Sequence, residues 1–113
     1  MKVVRQREAS PHQNNEFCTA TAYPTGDKDI SVALIELTGR YPSKGTVLNE
    51  KCKELAYVIK GSGKLIVENK EVLLGEGDLV WIEPGEKYFW DGHMTLLMSC
   101  TPAWYPEQHR EIK

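Results

Sequence analysis

The chain has 113 residues, 41% of them hydrophobic and 27% charged, with a formal net charge of −2 and a pI near 5.9. This length fits one domain that buries roughly two-thirds of its unfolded surface, and the mild acidity argues against nucleic acid or an anionic membrane surface as main partner, since both need a basic face. No apolar run approaches the roughly 20 residues of a membrane span, and Met1-Lys-Val-Val-Arg-Gln-Arg-Glu8 has no apolar stretch of signal-peptide length, so a cytoplasmic location is the expectation.

Residues 1–15 read as an N-terminal arm, with Glu8 to Asn15 mostly polar and expected as loop. Glu16 to Tyr23 is rich in β-branched and aromatic residues and stops at Pro24-Thr-Gly26, so a strand is predicted. Ile30 to Leu37 reads as a second strand ending before Gly39, Tyr41 to Gly45 as a turn or loop, and Thr46 to Asn49 as a short extended piece. Glu54 to Ile59 is a strand closed by Gly61-Ser-Gly63. Lys64–Glu68 and Glu71–Leu74 flank Asn69-Lys70, a tight hairpin turn. Leu79 to Ile82 runs into Pro84-Gly85, Lys87 to Trp90 is short, Asp91-Gly92 turns the chain, and Met94 to Cys100 is a further strand. Residues 103–113 form a C-terminal tail whose Trp104 and Tyr105 need something to pack on, either the barrel flank or a second subunit. No window keeps helical 3-4-7 spacing, and many short strands broken by glycine turns imply an all-β barrel or sandwich.

The stretch from Thr46 to Trp90 carries two motifs. In the first, Glu54 and Gly61 stand seven residues apart. In the second, Gly77-Asp78 leads through Leu79–Ile82 to Glu83-Pro84-Gly85 and then Tyr88, with the proline shifted by one position. This order of glycines, acid and proline resembles the cupin family. The resemblance implies a single domain over 1–113 folded as a double-stranded β-helix (jelly-roll) barrel, and a homodimer. It also marks where a cupin carries three metal-binding histidines beside its glutamate. With the longer of the two family spacings, Val47 and Asn49 stand at the first two histidine positions; with the shorter, Leu48 and Glu50 do. Tyr88 stands at the third.

Only Glu54 of those four positions keeps a strong metal donor, because an asparagine carbonyl and a phenol hold transition ions poorly; the expectation is no cofactor, with a weakly held divalent metal as the alternative. If the strand alternates as in the family, Glu54, Ala56 and Val58 face the interior. A lone carboxylate there has a raised pKa unless it is paired, for instance with Lys51 or Lys53. Asn49, Glu54, Tyr88 and Trp90 are the candidate ligand-binding residues, and Glu54 is the candidate catalytic one. Tyr88 and Trp90 share one strand face, a lining suited to stacking and hydrogen bonding; the alternative is aromatics that simply fill the barrel.

His93 reads as a solvated turn residue or one leaning over the barrel mouth, and His12 and His109 in polar terminal segments are given no role. Cys18, Cys52 and Cys100 make neither a disulfide nor a zinc framework. Two further ideas are a Cys52 activated by Lys51 and Lys53 and a Glu50–Cys52–Glu54 metal set. Two functions follow: binding of a small polar organic molecule, sugar-like or a small acid, without a transition metal; or an enzyme of sugar isomerase, epimerase or lyase type using Glu54 as acid or base.

Overall fold

Strands carry nearly all the regular structure in the computed structural model, which describes residues 1–113. In order they are β1 (Ser10–Asn15), β2 (Cys18–Tyr23), β3 (Ser31–Leu37), β4 (Thr46–Asn49), β5 (Lys53–Val67), β6 (Lys70–Leu74), β7 (Leu79–Ile82), β8 (Tyr88–Thr101) and β9 (His109–Ile112), with single 3-10 turns at Gln6–Glu8 and Pro106–Gln108. All pairings are antiparallel.

The curl of the sheet comes from β5 and β8, which pair from Lys53 opposite Thr101 to Val67 opposite Tyr88. Their other partners change along the way. The start of β5 pairs with β7 and its end with β6; the C-terminal half of β8 pairs with β3, whereas Tyr88 at its start pairs with Val47 of β4. Both strands thus pass from one wall of the barrel into the other, as bends and bulges allow. The register shifts between Val58 and Lys60, so Glu54, Ala56 and Val58 are buried before the shift and Leu65 after it; one extra residue switches the inward parity. Gly61 sits beside the shift at φ +85°, and a Cβ there would lie 2.1 Å from the His93 carbonyl oxygen. The result is a jelly-roll barrel, the architecture expected from the sequence.

Three local expectations are corrected. The segments 61–63 and 91–92 are bends inside continuous strands rather than chain reversals, because their glycines let the two backbones cross closely: a Cβ on Gly92 would be 2.5 Å from Gly63 Cα. Glu8 to Asn15, expected as loop, contains β1, which pairs with β2 at the sheet edge. Its side chains are almost all exposed, so no alternation marks it. The hairpin turn is Glu68-Asn69, with both residues at positive φ and Val67 opposite Lys70, one position earlier than predicted.

Val47, Val58, Leu65 and Leu96 are wholly enclosed in the core. Across the β1-β2-β3-β8-β5 wall, side-chain rows run Ser10–Ala22–Ala33–Met98–Ala56 and His12–Ala20–Ile35–Leu96–Val58. The alanines in these rows leave unfilled space on the inner face of β2 and β3. In the tail, β9 pairs with β4 and carries the segment after Pro102 along the barrel flank. No helix is long and apolar enough to cross a membrane.

Candidate functional site

The unfilled space is a cavity of about 440 Å³ between the β1-β2-β3 wall and the inner residues of β8. Glu54, Tyr88 and Trp90 all border it. Parity explains why: Glu54 leads the inward set of β5, and Tyr88, Trp90, Met94, Leu96, Met98 and Cys100 are the inward set of β8. The Tyr88 and Trp90 rings meet edge to face, 6.5 Å apart at 84°. Asn49 is buried but does not border the cavity; it stands behind Tyr88.

Glu54 makes no ion pair. Lys53 lies 4.0 Å from Glu83 instead. The Glu54 carboxyl accepts a hydrogen bond from Tyr88 Oη on Oε1 (3.1 Å) and one from Cys100 Sγ on Oε2 (3.3 Å). Burial raises its pKa, and the hydrogen bonds from Cys100 and Tyr88 oppose that rise. Two neutral donors compensate a buried charge less well than a cation does. When protonated, the carboxyl keeps Tyr88 as donor to Oε1 and carries its own proton on Oε2. Burial, then the Glu54 carboxylate, pushes the Tyr88 phenol up as well, so it stays protonated.

Behind Tyr88 a second set of groups meets at Asn49. Its Oδ1 accepts from Trp104 Nε1 (3.2 Å), Gln108 Nε2 (3.1 Å) and His109 Nδ1 (2.7 Å), and its Nδ2 donates to Tyr88 Oη (3.4 Å). An indole N–H only donates, which fixes the amide orientation. His109 therefore carries its proton on Nδ1, and its Nε2 accepts from Tyr41 Oη at 3.2 Å. Burial lowers the His109 pKa, favouring the neutral ring. Burial also raises the Tyr41 pKa. Tyr41 and His109 both border the cavity. One connected chain of hydrogen bonds thus runs Tyr41–His109–Asn49–Tyr88–Glu54–Cys100, with proton-carrying groups facing the cavity at both ends.

Sequence reasoning missed His109, Tyr41 and Cys100. Tyr41 and His109 are 68 positions apart and meet only because β9 pairs with β4. Cys100 shares the inward parity of Met94, Leu96 and Met98, and that period was readable. Trp104 also closes part of the cavity, its ring 5.7 Å from that of His109. His12 borders the cavity from β1, whereas His93 is exposed and lies outside it. Cys52 is not activated: its Sγ faces the Pro102 carbonyl at 3.3 Å, and burial pushes its pKa up to about 11. The Glu50–Cys52–Glu54 set does not form, because Glu50 turns to Arg110 at 3.3 Å.

The sequence from Tyr41 to Leu97 matches the cupin domain, just over half the chain. This chain belongs to the cupin family. Its residues do not fit the three-histidine, one-glutamate metal set of that family. Val47 is apolar and fully enclosed, Asn49 Oδ1 is already occupied by three donors, and Tyr88 is a protonated phenol. Nowhere do three His, Cys, Asp or Glu side chains gather as a metal-holding group.

Among solved structures, this cupin superposes on the nucleoside dehydratase Pac13 with a TM-score of 0.90 and 18% identity, over 100% of this chain and 92% of the other. Structures of Streptomyces PAC13 with uridine superpose equally well. Oxalate decarboxylase from Bacillus subtilis follows at a TM-score of 0.78 and 13% identity, over 99% of this chain and 33% of the other. Ectoine synthase from P. lautus gives a TM-score of 0.74 and 14% identity, over 100% and 91%. At these identities the likeness is one of fold. No curated protein matches the chain in sequence.

Proposed function

We propose that this cupin binds a small, hydroxylated organic molecule in its cavity without a transition metal. One observation carries the reading. The cavity of about 440 Å³ has a buried, raised-pKa Glu54 on its wall, with no histidine at any of the family's metal-ligand positions. That volume lies in the range of small-molecule sites, which combine apolar walls with a few fixed polar groups. Trp90 and Tyr88 offer faces and edges for a ring, the Glu54 carboxyl donates or accepts at a hydroxyl, and Tyr41 Oη offers a second polar contact.

A thermal-shift screen of hydroxylated ring compounds, uridine among them, tests this reading on the parent, Glu54→Gln and Tyr41→Phe proteins. The reading expects stabilisation of the parent that weakens in both variants. Equal stabilisation of all three would place the ligand elsewhere.

The hydrogen-bond chain favours a second reading, a lyase. His109, neutral and accepting at Nε2 from Tyr41 Oη, would take a proton from carbon through Tyr41 Oη, while protonated Glu54 hands its proton to a departing hydroxyl. The substrate C–H and C–O bonds break, a C=C bond forms and water leaves. The fold shared with a nucleoside dehydratase supports this reaction class. Its sign is a product lighter by one water in mass spectrometry, lost in Glu54→Gln while binding persists.

The three unpaired thiols support a reducing, cytoplasmic setting. A second copy of the chain fits the outer sheet face, where Tyr57, Leu79, Trp81 and Leu97 are exposed side by side on paired strands. Light scattering should then give twice the 12.8 kDa chain mass, falling to one chain in Trp81→Glu; an unchanged mass would remove that face from the account.

A further inference from the structure

The cavity walls differ in one respect from those of sites built for phosphorylated or carboxylated compounds. An anionic ligand taken out of water needs a guanidinium, an ammonium, a long helix N-terminus or unpaired backbone N–H groups to replace its hydration. None of the residues bordering this cavity is Lys or Arg. Of its two histidines, His109 is held towards the neutral ring by burial and has both nitrogens engaged, with Asn49 and Tyr41, and His12 lies on the exposed edge strand β1. The sheet that forms the walls has its inner backbone groups paired across β1, β2, β3, β8 and β5, and the only helical pieces are two three-residue 3-10 turns.

The cations next to cavity residues in the chain turn away. Arg40, next to Tyr41, lies over the Phe89 ring at 3.9 Å and donates to the carbonyls of Pro42 and Gly45. Lys53, next to Glu54, lies over the Trp81 ring at 4.9 Å. Arg110, next to His109, pairs with Glu50, and Lys87, next to Tyr88, is exposed and does not border the cavity. Lys28, in the loop between β2 and β3, is exposed and does not border the cavity. The one acid on the wall, Glu54, adds negative charge whenever it ionises and never offers positive charge.

Resting on the cavity reading above, we infer that this site selects an uncharged, ring-bearing polyol or nucleoside-like compound and rejects its phosphorylated or carboxylated counterpart. Charge, more than shape, is the discriminating property. A phosphate or carboxylate inside would leave water with no guanidinium or ammonium partner, and it would face the Glu54 carboxyl across a medium of low polarity. The small acids that the sequence left open as ligands are thereby set aside, and hydroxylated rings remain.

Matched pairs test this by calorimetric titration: uridine against uridine 5′-monophosphate, and methyl glucoside against glucuronate. The expected result is that at least one neutral member binds, with its anionic counterpart at least about tenfold weaker. A second arm adds the missing cation. Ala22 borders the cavity and is solvent-accessible, so Ala22→Arg should bring the anionic member to within about threefold of the neutral one by supplying a guanidinium for the anion.

An anionic member that binds the parent within tenfold of its neutral partner overturns the charge selection while leaving the cavity as a binding site. The same holds if Ala22→Arg, folded and still binding the neutral member, leaves the preference unchanged. If no member of any pair binds, the cavity reading itself falls, and this inference with it.

Discussion

Replacing Glu54 by glutamine changes how stability depends on pH in a direction the structure fixes. Burial raises the Glu54 pKa in the folded chain above its ordinary value. Between the unfolded and folded values the native state holds the proton and the unfolded state does not. Native protons then exceed unfolded protons, so stability falls as pH rises through that window and levels off above the folded value. Within the window each pH unit costs about 1.4 kcal/mol. A chain of 113 residues unfolds with an entropy of about 0.24 kcal/mol per kelvin, so the loss is about 6 °C in Tm per pH unit.

Glutamine mimics the protonated acid: its carbonyl accepts from Tyr88, and its amide occupies the place of the Oε2 hydroxyl. The Glu54→Gln Tm should therefore exceed that of the parent by a margin that grows by about 6 °C per unit as pH rises from the ordinary glutamate value to the raised folded value, and is constant above it. Using the difference between the two proteins removes the contribution of His109, whose lowered pKa acts in the opposite sense as pH falls. Differential scanning calorimetry from pH 4 to 8 measures this margin. A margin that stays constant across the range would refute a Glu54 pKa raised by burial.

Asn49→Ala leaves the buried donors of Gln108 and His109 without their shared acceptor, which costs about 3 kcal/mol or about 12 °C in Tm; a loss below 2 °C would show that the Asn49 hub is not structural. Gly61→Ala forces a side chain at φ +85° against the His93 carbonyl; denaturant titration should show a loss of at least about 2 kcal/mol. Cys18, Cys52 and Cys100 are all buried, and burial raises all three thiol pKa values. Ellman's reagent at neutral pH should label the native chain only on unfolding, and rapid labelling of Cys52 in native protein would contradict its assigned surroundings.

The fold was legible where glycines, proline and apolar alternation follow simple periods. Glu54, Ala56 and Val58 face inward as the strand period requires, and Tyr88 and Trp90 do the same. What stayed hidden has physical causes. β1 is an edge strand exposed on both faces, so it carries no pattern to read. Gly61, Gly63 and Gly92 look like strand ends in sequence, yet here they let two long strands bend and cross. The His109–Tyr41 pair depends on a tail strand docking beside β4, a long-range event that no local signal announces. Asn49, expected among the ligand-binding residues, stands behind Tyr88 outside the cavity lining, where it hydrogen-bonds His109 and Tyr88.

The central claim is that the barrel interior holds an organic guest through Glu54 and needs no transition ion. Elemental analysis of the purified protein, paired with calorimetric titration of uncharged hydroxylated rings before and after chelation, tests it most directly. The account predicts sub-stoichiometric iron, manganese and zinc, with affinity unchanged by chelation. Stoichiometric metal, with binding that vanishes on chelation and returns when the ion is restored, would contradict it.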